Sequence, residues 1–138
     1  AAGYTDRLKA FVSSRGIQLE YADTLGSADG LSAGGKIVLR NGQSPAQELS
    51  VLAHELAHEM LHHGEGAQRG TKTVRETEAE AVAFVVCQAI GLDTNTAASD
   101  YIQLYAGNKD TLAASLDRIQ QTASTIITAI TASNECDE

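Results

Sequence analysis

All four histidines of this 138-residue chain, His54, His58, His62 and His63, fall within one ten-residue window. The segment that carries them reads as a single helix. Ser44-Pro45-Ala46-Gln47 joins an N-cap serine to a proline at the first helical position and a glutamine three residues after the cap. Leu49, Leu52, Ala53, Leu56 and Met60 then recur at helical spacing, so this helix is buried along one side. The pattern predicts that it runs to about His63, with Gly64 suited to a left-handed C-terminal position and His63 capping the last turn.

Within the helix, His54-Glu55-Leu56-Ala57-His58 is an HExxH motif. Residues four apart differ by about 40° around a helix and about 6 Å along it, so the imidazoles of His54 and His58 can share one ion. Two neutral imidazoles suit zinc. Glu55, about 100° round from His54, stands beside the pair, where its carboxylate can take a proton from a metal-activated water as it attacks a carbonyl. His62 lies about 12 Å from His54 along the axis, too far to join it on one ion with bonds of about 2 Å, and is expected at the rim or behind the ligands. The longer metzincin pattern fails, since Leu61 stands at its glycine position and Gly64 at its third histidine.

A zinc site needs a third protein ligand, and Arg75-Glu76-Thr77-Glu78-Ala79-Glu80 offers three carboxylates at alternating positions. This stretch opens a second strong helix, about Thr73 to Ile90, stopped by Gly91. Glu76 and Glu80 share a face, and the small residues Ala79 and Ala83 beside it allow a close approach to the histidine helix. Glu76 is assigned as ligand and Glu80 as the group that orients a histidine. The bland alternative for Glu76 is a capping box with Thr73. Glu78 points about 200° away from Glu76 and is expected to be solvated or paired with Arg75.

The remaining chain is sparser in signals. Tyr4 to Arg15 reads as a helix with Leu8, Phe11 and Val12 on one face and Gly16 as its stop. Ile17–Tyr21 and Lys36–Arg40 read as strands that pair in a small sheet, with turn-rich sequence over Asp23–Gly30. A short helix is expected over about Thr96–Tyr105. A longer one is expected over about Asp110–Ala132, with Leu112, Leu116, Ile119, Ala123, Ile126 and Ile130 on one stripe. The length suits one domain, 1–138, with 133–138 as a disordered tail. A formal charge of −8 without a basic stripe argues against nucleic-acid binding by this domain alone. No segment suggests a membrane span or a secretion signal, and Cys87, in an apolar run, is not expected to pair with Cys136 in the acidic tail. These features make the cytoplasm the default compartment.

Val51 to His58, followed by Glu76 to Cys87, resembles the metallopeptidase domain of ArdC-like antirestriction proteins, a group related to the ImmA/IrrE family of HExxH zinc metallopeptidases. The resemblance extends over most of the chain, including the Ala28-to-Leu39 strand region. It implies an α+β, mostly helical, zincin-like fold with a small sheet beside the HExxH helix. It also implies Zn2+ held by His54, His58 and Glu76, with Glu55 as catalytic base. The second helix of such enzymes has the form Glu-x-x-x-Asn or Glu-x-x-x-Asp, which again selects Glu76 and sets Glu80 where Asn or Asp is usual. ArdC relatives commonly carry an N-terminal domain that binds single-stranded DNA, so this chain is expected to be the catalytic part of a longer protein.

The resulting expectation is a zinc-dependent endopeptidase acting on a protein or peptide, with the exposed edge of Lys36–Arg40 aligning the substrate by strand addition. Tyr101, Tyr105, Arg75 and His62 are candidates for the oxyanion donor. The rival expectation is a metal-stabilised module that binds a protein partner without turnover.

Overall fold

The proline that opens the histidine helix has no N–H to satisfy, and the Ser44 side chain accepts the Gln47 N–H at 3.2 Å. Together they start the helix where the capping pattern places it. The computed structural model describes residues 2–63, 72–92 and 109–131. Its elements, in order, are α1 (Ala2–Ser14), β1 (Gln18–Ala22), β2 (Gly30–Ser32), β3 (Lys36–Arg40), α2 (Pro45–Leu61), α3 (Lys72–Ala89) and α4 (Lys109–Thr131). The protein is α+β and mostly helical. The expected helix over Thr96–Tyr105, the tail 133–138, Gly64 and Cys136 lie outside the described residues.

The three strands form one sheet in the order β1-β3-β2. The two strands expected to pair do so, in parallel, with Leu19 opposite Ile37. The sheet also contains β2, which runs antiparallel to β3 with Leu31 opposite Val38. β3 is therefore central, and the expectation that its edge is open to a peptide is wrong: its backbone groups are taken up on both sides. β2 had no sequence signal of its own, because three residues are too few to display an alternation. Gly34 and Gly35 adopt φ of 71° and 90°, a left-handed backbone that lets the β2–β3 turn close tightly.

α2 is the hub. It packs chiefly on α3, but also touches α1, α4, β2 and β3. Leu49, Leu52, Ala53 and Leu56 of α2 are fully buried against Leu8 and Val12 of α1, Ile37 and Leu39 of β3, and Ala79 and Val82 of α3. Burial of Ala79 and Ala83 agrees with the close helix approach expected from their size. In α4 the buried stripe is Ile119, Ala123, Ile126 and Ile130, continued upward by Ser115. Leu116, placed on that stripe from its spacing, is instead 43% exposed. The position one residue earlier, Ser115, lies one turn before Ile119 on the buried stripe and donates to Glu78 of α3. Cys87 is a buried free thiol.

Candidate metal centre

α2 ends at Leu61 and His62 is its C-cap, with its N–H bonded to the His58 carbonyl at 2.8 Å. The capping position assigned to His63 from sequence thus belongs to His62. One turn earlier, His58 and His54 project from the same side of the helix, their ring centroids 4.9 Å apart. α3 brings Glu76 across to both of them. One carboxylate oxygen lies 3.1 Å from His54 Nε2 and the other 3.0 Å from His58 Nε2. The capping-box alternative for Glu76 does not hold, because its carboxylate faces the imidazoles. Donor atoms of His54, His58 and Glu76 all lie within 4.8 Å of one another, a group that could hold a metal ion.

Two further groups orient the imidazoles. Glu80 Oε1 lies 2.7 Å from His54 Nδ1, the role expected for it. On the other side, His58 Nδ1 lies 2.9 Å from His62 Nδ1, and His62 Nε2 lies 2.9 Å from Glu78 Oε1. Glu78 is 1% exposed and also accepts from Ser115 and, at 2.6 Å, from Arg118 of α4. The expectation of a solvated Glu78, or one paired with Arg75, is therefore overturned. Its direction away from Glu76 was read correctly, but that direction faces α4 rather than water. Burial opposes charge on Glu78, yet the bonds from His62, Ser115 and Arg118 outweigh it and bring its pKa down to about 2. His62 is likewise buried at 1% exposure, so it stands behind the ligands and is no candidate for an oxyanion donor. Tyr101 and Tyr105 lie outside the described residues.

Glu55 sits on the wall of a cleft of about 450 Å³ whose lining includes Asp29, Gly30, Gln47, His54, Glu76 and Glu80. Burial raises its carboxyl to about 7, with His54 opposing and Glu76, Glu59 and Glu80 adding to the rise. Burial also lowers the pKa of His58, assisted by the charge of His54, and so favours the neutral imidazole a metal requires. For His54, burial works against charge, but its bond to Glu80 and the charges of Glu55, Glu80 and Glu76 prevail, and its pKa is raised.

Two residues near the site escaped the sequence reading. Glu59 accepts from Gly34 N–H at 2.9 Å, Gly35 N–H at 2.7 Å and the Ser32 hydroxyl, tying the β2–β3 turn to α2. Gly30 opens β2 directly against the cleft wall. A Cβ there would lie 2.6 Å from Val51 Cγ1 and 3.0 Å from Glu55 Cγ. A glutamate one residue after the second histidine and a Gly-Gly pair twenty-five residues before it were the only available hints, and neither carries a specific signal.

Residues 12–114 match the peptidase M78 family, described as the IrrE N-terminal-like domain. The chain belongs to this family. It is also similar to pXO2-81, an uncharacterized protein of Bacillus anthracis, at 32% identity over 126 residues. That similarity covers 89% of this chain and 20% of the relative, so the chain spans about a fifth of the relative's length. No solved structure gives a significant match. The family supports a metallopeptidase-like function and the ImmA/IrrE relationship expected from the motif. No described helix is long and apolar enough to cross a membrane.

Proposed function

We propose that this domain is a zinc-dependent endopeptidase with His54, His58 and Glu76 as metal ligands and Glu55 as catalytic base. The observation that carries the reading is the convergence of the two Nε2 atoms and the Glu76 carboxylate beside a cleft that Glu55 also lines. Two imidazoles and a carboxylate are a donor set that suits zinc and leaves a fourth position for water or substrate. When bound, zinc polarises the scissile carbonyl and acidifies water.

The chain's own groups supply the rest. Glu55 takes the proton from the attacking water and passes it to the leaving amine. Glu80 fixes the His54 ring from the cleft side. β2, the sheet edge beside Glu55, replaces β3 as the strand along which an extended peptide pairs. Arg75 remains a candidate for the oxyanion donor.

The substrate is a protein or peptide in the cytoplasm, and the domain acts without binding nucleic acid or membrane itself. We place it among ArdC-like antirestriction proteins, as part of a longer chain with an N-terminal DNA-binding domain. Support for that placement is the sequence resemblance over Val51–His58 and Glu76–Cys87.

The test is zinc content followed by proteolysis of a peptide library with wild type and Glu55→Gln. Wild type should bind one zinc and cleave, and Glu55→Gln should bind zinc and lose about a hundredfold or more in turnover. Equal turnover in the two proteins would overturn the peptidase reading. Zinc closed by a fourth protein ligand, with no cleavage, would make the domain a metal-stabilised binding module.

A further inference from the structure

His58 is the less exposed of the two candidate histidine ligands, and among the described residues its Nδ1 is met by His62 rather than from the cleft side. That nitrogen faces His62 at 2.9 Å, and His62 faces Glu78 at 2.9 Å. Glu78 in turn is held from α4 by the Ser115 hydroxyl and the Arg118 guanidinium. The chain of contacts therefore runs from α2 through α3 to α4, and its middle members are buried.

The donor rules give this chain a direction. A carboxylate accepts only, and Arg118 and Ser115 both donate to Glu78, so the His62 nitrogen facing it must carry a hydrogen. The tautomer with that hydrogen on Nε2 has an acceptor at Nδ1. His58 must donate to it from its own Nδ1, which leaves the His58 Nε2 lone pair aimed at Glu76 and the metal position.

We propose that Glu78, clamped by Ser115 and Arg118, is a positioning residue that acts through His62 to select the metal-binding nitrogen of His58. The proposal rests on the metal-site reading above, and it makes α4 part of the site without touching it. Carboxylate–histidine pairs behind a metal ligand typically alter affinity by about ten- to a hundredfold when removed.

The experiment has two arms, run on the full 138-residue chain. In the first, zinc affinity is measured by chelator competition for wild type, His62→Leu, His62→Gln and Arg118→Met. A glutamine can accept from His58 and donate to Glu78, so His62→Gln should retain most of the affinity. His62→Leu should lose about ten- to a hundredfold, and Arg118→Met should fall between them. Equal loss in His62→Leu and His62→Gln, or no loss in either, would overturn the proposal.

The second arm needs no metal. Nitrogen-15 histidine spectra of the metal-free protein should show the His62 hydrogen on Nε2. In Arg118→Met the ring resonances of His62 and His58 should move while those of His54 stay in place. If His54 and His58 respond alike, or neither responds, α4 does not set the His58 ring. A wild type that refuses zinc but gives this selective response would sink the metal-site reading while upholding the chain of contacts.

Discussion

His54 and His58 are the same residue type on the same helix, one turn apart, yet their surroundings are opposite. His54 is oriented by Glu80, whose side chain is half exposed on the cleft wall. His58 is oriented from behind by His62 and Glu78, each 1% exposed and tied into α4. The contrast follows from helix geometry. Carboxylates at alternating positions on α3 cannot all face α2, so Glu76 and Glu80 meet the histidines on the cleft side while Glu78 turns into the core. On the cleft side, Glu76 and Glu80 are half exposed. The rear side is dry, so each of its polar groups has to be matched.

The largest break in that contrast should come from Glu78→Leu. It strips the buried His62 and the partly buried Arg118 of their partner and should cost about 3–5 kcal/mol in chemical denaturation. A cost below about 1 kcal/mol would mean that the buried cluster is as tolerant as the cleft. The same residue should shape acid unfolding. With its folded pKa lowered from 4.5 to about 2, the stability it contributes is complete above about pH 4.5 and drains away as the pH falls towards about 2. Stability curves against pH should be flatter over that interval in Glu78→Gln than in wild type.

Gly30→Ala should have an intermediate effect, because the added methyl must displace Val51 or Glu55. Val51 is β-branched and stiff, so a loss of about 1–3 kcal/mol is expected, with a fall in turnover as Glu55 shifts. Thermal melts and peptide cleavage check the two effects separately. The smallest effect belongs to Glu80→Gln. The amide oxygen can still accept from His54 and the site is half exposed, so stability should change by less than about 1 kcal/mol. A larger loss would show that the two sides of the centre are equally demanding.

Much of the site could be read from residue spacing. The i, i+4 placement of His54 and His58, the flanking Glu55, and the choice of Glu76 and Glu80 over Glu78 all follow from the turn of a helix. The close approach of α3 was legible in Ala79 and Ala83. The partners of Glu78 were not, because Ser115 lies 37 residues away and Arg118 lies 40 residues away in the chain. The order of the sheet was equally hidden. Lys36–Arg40 has the alternation of a good strand whether it lies at an edge or at the centre, and β2 is too short to announce itself.

The sequence alone determined where α2 begins, which of its side chains share a face, and which chemistry those side chains can support, since these depend on contacts within a few residues. Tertiary structure decided which carboxylates are half exposed and which are buried, which strand lies at the sheet edge beside Glu55, and how α4 reaches the histidines. Those outcomes depend on how elements distant in the chain pack together, and burial has no local signature in a run of alternating glutamates.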